Sequence, residues 1–185
     1  MNNTTHPAER ILLGPGPSPV PQRVLRAMSA PTLGHLDPQY LAILDETCEM
    51  LRQVFQTKNL LTFPVSGTGM AGMECIAVNL IEPRDEVIVC VNGVFGMRMK
   101  DVMERCGATV HAVEAPWGDI IQPEQIAVAL DQQSKAKLVG IVQAETSTGA
   151  CSARRCKCAS FACCRKELLN RSAEPIRKKR TCALW

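Results

Sequence analysis

Aromatic side chains are scarce. Four Phe, two Trp and one Tyr make up 4% of the 185 residues. A nucleic-acid surface of basic residues interleaved with stacking aromatics is therefore not expected. No run of about 18 apolar residues occurs, so no membrane span is expected either. Residues 1–10 are polar and lack the apolar core of a secretory signal, and Ala183-Leu184-Trp185 is not a peroxisomal address of the Ser-Lys-Leu type. The ten cysteines contain no Cys-x-x-Cys pair and there are only three histidines, which argues against a metal module. Four of those cysteines are scattered over the first 149 residues, a pattern that suits a reducing cytoplasm rather than a disulfide framework. There is no internal repeat.

What is present is an alternation of short apolar runs with helical patterns. Leu60–Val65 reads as a buried strand, Val87–Val91 as a second, Thr109–Val113 as a third and Leu138–Val142 as a fourth. Between them lie helical stretches from Met70, through Met97, Val102 and Met103, and from Pro123 through Leu130. Strands alternating with helices predict an α/β fold with a mostly parallel sheet covered by helices. In such sheets ligands bind beyond the carboxyl ends of the strands. Ser66–Met70, Asn92–Gly96 and Glu145–Gly149 all fall at such ends. The first is the most suggestive, because Gly67 and Gly69 allow close backbone approach. The N–H groups of the following helix and the Thr68 hydroxyl would suit an oxyanion. The same pattern also describes a plain structural turn.

Upstream, the proline-rich run Leu12–Pro21 excludes a helix and predicts an extended arm over residues 1–22, leading to a helix near Arg23–Met28. Pro38 stands near the start of a longer helix. There Leu41, Leu44, Leu51 and Phe55 form an apolar stripe, expected to be ordinary core.

Five segments in unbroken order carry a family resemblance: Gly14-Pro15-Gly16-Pro17, Leu33-Gly34-His35-Leu36-Asp37-Pro38, Ser66-Gly67-Thr68-Gly69-Met70, Asn92-Gly93-Val94-Phe95-Gly96 and Glu145-Thr146-Ser147-Thr148-Gly149. Together they resemble the class V pyridoxal-phosphate aminotransferases, in the alanine–glyoxylate and serine–glyoxylate branch. The resemblance spans about residues 10–149. It implies part of the three-layer αβα large domain of fold type I, over residues 23–149. The implied cofactor is pyridoxal 5'-phosphate, the substrates a small amino acid and glyoxylate, and the assembly a homodimer. Thr68 with the backbone of Gly69 and Met70 would hold the cofactor phosphate. Phe95 would stack on the pyridine ring, where the family often has tryptophan; as an isolated residue it also reads as a core aromatic. Thr146 would meet the phenolic oxygen. Gly16, Gly34 and His35 would line the substrate side near the dimer interface, with no acid–base role assigned to His35.

The family's chemistry also needs a lysine that forms a Schiff base with the cofactor, and an aspartate at the pyridine nitrogen. Both lie downstream of the Ser-Thr-Gly motif in the family. Neither can be placed here, and Lys157, Lys166, Lys178 and Lys179 resemble no Schiff-base segment.

Residues 150–185 differ in character. They hold six of the ten cysteines and ten of the 21 Lys and Arg, against only Glu167 and Glu174. The tail is thus +8 and the first 149 residues −5. So abrupt a change is what a shifted or fused reading frame would produce, and a disordered cationic end is expected from residue 150. The tail lacks the paired Cys-x-x-Cys spacing of a zinc module and has no histidine, and its basic run lacks interleaved aromatics, so neither zinc binding nor nucleic-acid binding is expected of it. The alternative to an active transaminase is then a truncated, catalytically inactive fragment, able at most to pair with an intact subunit.

Overall fold

The computed structural model describes residues 10–14, 16–152, 161–164 and 183–184, the last two groups by backbone alone. The chain divides into two compact units, Met1–Ala42 and Ile43–Trp185.

In the first unit, residues 10–14 and 16–20 form neither helix nor strand. Helix α1 (Gln22–Met28) follows Pro21. Helix α2 (Pro38–Val54) begins here and ends in the second unit. Its start is set by chemistry the sequence displays. Pro38 brings a helical φ to the first position, and the Asp37 Oδ1 accepts the Gln39 N–H at 2.8 Å, the usual N-cap bond. The expected burial of its stripe is corrected: no α2 residue is buried, Leu41 is exposed, and Leu44, Leu51 and Phe55 are half-buried. An apolar stripe fixes which side of a helix avoids water, not what covers it.

The second unit is built on strand β1 (Glu86–Val91), in which Val87, Ile88, Val89 and Cys90 are fully buried. It pairs in parallel with β2 (Thr109–Glu114), from Glu86 opposite Thr109 to Val91 opposite Glu114. On its other side it pairs in parallel with β3 (Leu138–Val142), Val87 opposite Leu138. Successive side chains point to opposite faces. Val87, Val89 and Val91 therefore pack with Met73, Ala77, Met99 and Val102 of helices α3 (Gly69–Leu80) and α4 (Val94–Arg105). Ile88 and Cys90 pack on the other face with Ile121, Val139 and Leu130, the last from helix α5 (Pro123–Gln132). Helices on both faces of a parallel sheet make the three αβα layers that the sequence predicts. At the amino edge, Lys137 Nζ bonds the Asp85 carboxyl at 2.6 Å, and this lysine holds Asp85 below the usual carboxylate range.

One expectation changes. Leu60–Val65 is not a strand. A strand needs a neighbouring backbone to complete its ladder, and among the described residues none pairs with this run. Leu60, Leu61 and Phe63 are accordingly exposed. The tail, expected to be disordered, falls mostly outside the described residues. Within it, β6 (Phe161–Cys164) lies antiparallel to β3, and β7 (Ala183–Leu184) antiparallel to β6. The short strands β4 (Ala144–Glu145) and β5 (Ala150–Cys151), the latter at the tail's first two residues, form an antiparallel hairpin. The larger sheet thus runs β2-β1-β3-β6-β7.

Burial pushes the Cys90 thiol up to about 12, and the thiolate is the reactive species. Native protein treated with iodoacetamide near pH 8 should leave Cys90 unmodified, with modification following global unfolding. Peptide mass spectrometry across a urea series measures this. Rapid labelling without denaturant would contradict a core position.

Candidate functional site

Chain direction brings the expected loops to one edge. Helix α3 spans roughly 18 Å at 1.5 Å per residue, and β1 roughly 20 Å at 3.3 Å per residue. A tight turn at 82–85 joins them, closed by the Glu82 N–H bonding Asp85 Oδ2 at 2.8 Å. The start of α3 therefore returns to the carboxyl end of β1, where α4 begins. The Glu74–Arg98 ion pair at 3.1 Å ties α3 to α4 one turn beyond each helix start. The 145–149 turn, which follows β3, reaches the same edge through direct hydrogen bonds to α4.

The turn into α3 depends on Gly67. Its φ is +150°, and a Cβ there would come within 2.8 Å of the Ala71 Cβ. Thr68 is the N-cap of α3, yet its side chain makes no cap hydrogen bond. Its carbonyl accepts the Ala71 and Gly72 N–H groups at 3.0 and 3.4 Å. The N–H groups of Gly69 and Met70 lie ahead of the first intrahelical bond. One hydroxyl and two amides thus share an exposed position at the positive end of a helix.

Helix α4 is capped in a different way. Its N-cap residue is Gly93, which has no side chain to offer. The cap comes instead from residues about 50 positions later. Ser147 Oγ accepts the Val94 N–H at 3.0 Å. The Glu145 carboxyl accepts the Phe95 N–H at 3.4 Å through Oε1 and the Gly96 N–H at 3.1 Å through Oε2. Oε1 also accepts the Ser147 N–H at 3.3 Å and the Ser147 hydroxyl. Glu145 is fully buried. A Cβ on Gly93 would stand 2.4 Å from Glu145 Cγ and 2.6 Å from Ser147 Oγ, so glycine leaves the room that these groups fill. Gly96 permits a second close approach: a Cβ there would meet the Cys90 carbonyl oxygen at 2.8 Å.

The turn that carries Thr146 is equally constrained. The Glu145 carbonyl accepts the N–H groups of Thr148 and Gly149 at 3.1 and 2.9 Å, and Gly149 takes φ +74°. The Thr148 hydroxyl reaches the Asn92 carbonyl at 3.4 Å. Asn92 is itself buried, with its Nδ2 donating to the Asp119 carbonyl at 2.9 Å.

Of the residues singled out from sequence, Thr68, Gly69, Met70, Phe95 and Thr146 belong to this edge of the second unit. Thr68 and Thr146 are exposed, and among the described residues neither hydroxyl has a hydrogen-bond partner. Phe95 is half-buried against the core of the α3 and α4 face. Gly16, Gly34 and His35 belong to the first unit and are exposed, with open space where a Cβ would stand on Gly16 and Gly34. Sequence reasoning gave no role to Glu145 or Ser147 beyond motif membership. The available signal was an acid directly after an apolar strand, where the neighbouring helix opens on a glycine. An open cleft of ≈ 490 Å³ lined by Met97, Lys100, Asp101, Glu104, Glu114 and Trp117 holds none of the expected residues. Three acids around one lysine make it unsuited to a phosphate.

The donor set fits the phosphorylated pyridine cofactor. Thr68 and the free amides offer donors with no competing acid in their loop, Phe95 offers a ring, and Thr146 offers a free hydroxyl. Comparison with known proteins identifies the family. The chain matches the aminotransferase class-V family over residues 10–155, past the Gly149 boundary. It is 44% identical over 140 residues to (S)-ureidoglycine–glyoxylate transaminase of Bacillus subtilis, covering 76% of this chain and 33% of that protein. It is also 44% identical over 140 residues to alanine–glyoxylate aminotransferase of Drosophila melanogaster, covering 76% and 35%. Among solved structures, the alanine–glyoxylate aminotransferase of Nostoc sp. superposes with a TM-score of 0.74 at 43% identity, over 83% of this chain and 42% of that one. The chain spans about a third of the length of these curated relatives. By its ordered motifs, its αβα layers and these likenesses, the chain belongs to the class-V aminotransferase family.

Proposed function

We propose that residues 43–152 form the pyridoxal-phosphate-binding edge of an aminotransferase that passes an amino group from alanine or serine to glyoxylate. The observation that carries this reading is the meeting of the α3 start, the α4 start and the 145–149 turn at one end of a parallel sheet. The Thr68 hydroxyl and the Gly69 and Met70 N–H groups hold the phosphate, Phe95 faces the ring, and the Thr146 hydroxyl donates to the phenolic oxygen. When bound, the cofactor supplies an electron-withdrawing ring that stabilises negative charge on the substrate carbon. Gly16, Gly34 and His35 of the first unit are assigned to the substrate by the family resemblance alone. Pairing as a homodimer is part of this reading and is carried by the family resemblance. The free thiols Cys48, Cys75, Cys90 and Cys106 fit a reducing compartment such as the cytoplasm.

A second reading is favoured by one observation. None of the three site loops contains a lysine, and of the described lysines Lys137 is tied to Asp85 and Lys100 to Glu104. On this reading the 185 residues hold cofactor without turning substrate over, and pair with an intact subunit. Glyoxylate-dependent formation of pyruvate or hydroxypyruvate should then be negligible with excess cofactor. Turnover near one per second, in the ordinary enzyme range, would reject it.

Titration with pyridoxal phosphate, followed by its visible absorption, should show saturable binding. Borohydride reduction and peptide mapping should find no adduct confined to one lysine. Thr68→Val should weaken binding by roughly 1–3 kcal/mol, the cost of a lost charge-assisted hydrogen bond. Unchanged affinity would remove Thr68 from the phosphate site. Phe95→Ala should weaken binding by about 0.5–1.5 kcal/mol through loss of the stacked face, while Phe95→Trp retains it. An alanine variant as tight as the parent would make Phe95 a core residue only.

A further inference from the structure

We infer that Glu145, acting with Ser147, is the positioning residue that sets the ring-facing part of the site, independently of the phosphate cradle. The inference rests on the cofactor reading above and goes beyond it. Glu145 and Ser147 carry no cofactor contact in that reading. Their hydrogen bonds nevertheless account for three consecutive N–H groups, those of Val94, Phe95 and Gly96. These are the groups that an N-terminal helix turn leaves unsatisfied, and Gly93 cannot cap them itself. Phe95 is the middle one of the three, so its backbone is pinned on both sides.

The same carboxyl begins the turn that carries Thr146, which is the next residue along. The Glu145 carbonyl closes that turn, and its side chain holds the Ser147 N–H and hydroxyl. Ser147 relays the contact: its oxygen accepts from Val94 and its hydroxyl donates to Glu145. One buried group thereby fixes the aromatic face and the phenol-side hydroxyl relative to each other. None of these bonds involves Thr68, Gly69 or Met70; α3 meets α4 through the exposed Glu74–Arg98 pair and the shared core, neither of which uses Glu145 or Ser147, so the phosphate cradle does not depend on this pair. The two halves of the site should accordingly fail separately.

Glu145→Gln turns one acceptor oxygen into an amide donor. With its carbonyl oxygen on the Ser147 side, the NH2 group would face the Gly96 N–H, donor against donor. Two probes separate the halves by equilibrium dialysis against the full chain. The first is 4-deoxypyridoxine, which keeps the ring and phenolic oxygen but has neither phosphate nor aldehyde. The second is inorganic phosphate. Glu145→Gln and Ser147→Ala should each weaken 4-deoxypyridoxine by about tenfold and leave phosphate within twofold of the parent. Ser147→Thr, which retains the hydroxyl, should restore it, and Thr68→Val should show the opposite selectivity.

Equal loss of both probes in the Glu145 and Ser147 variants would make the pair a general fold contact and overturn the inference. So would unchanged 4-deoxypyridoxine binding, which leaves the cofactor reading intact. If the parent chain binds neither probe nor pyridoxal phosphate, the cofactor reading falls and the inference with it. Should Glu145→Gln fail to fold, the exposed Ser147 decides the matter through its alanine and threonine variants.

Discussion

Because β1 is buried on both faces, everything around it has to be apolar, and that requirement organises the second unit. Val87, Val89 and Val91 demand cover from one side, Ile88 and Cys90 from the other. Helices α3 and α4 meet the first demand and α5 with the 115–122 segment the second. Connections that return a helix to a parallel neighbour must run back along the sheet, so both α3 and α4 start at the carboxyl end of β1. Placement of two helix N-termini beside each other thus follows from packing one strand. The site inherits its location from the core.

The parts legible in the sequence are those where one short run decides its own structure. β1 and β3 are nearly continuous apolar runs of branched residues bounded by turn formers, which is what strands buried on both faces require. Pro38 after Asp37 and Pro123 after Gln122 mark helix starts through local chemistry alone. Leu60–Val65 has a similar apolar appearance but lacks a partner among the described residues, and pairing is a property of two segments. The α2 stripe has the amphipathic spacing its sequence predicts but no buried residue, for the same reason. Glu145 illustrates the opposite limit. Its role depends on a glycine about 50 positions earlier and on an approach of two loops that no local pattern encodes.

Burying a carboxyl group is costly unless its hydrogen bonds are met. At Glu145 four donors meet them, three of them backbone N–H groups drawn from two separate loops. Each such bond contributes on the order of 1 kcal/mol net, whereas leaving the group unpaired costs more. This asymmetry makes the arrangement specific rather than merely stabilising. The loops cannot separate without stranding a buried acid, and cannot close further because Gly93 has already given up its side-chain volume. Asn92 adds to this rigidity from the adjacent position through its bond to Asp119.

The contrast between the two helix starts decides how an anionic ligand would orient. Both carry partial positive charge and unsatisfied N–H groups. At α4 these are consumed by the protein's own Glu145 and Ser147, which leaves no open donor there for a ligand. At α3 the Thr68 side chain makes no cap bond, and the first amides precede any intrahelical partner. On the cofactor reading proposed above, a phosphate would find open donors at α3 and none at α4. The remainder of a phosphorylated ring would then lie toward Phe95 and Thr146, whose backbones are joined through Glu145.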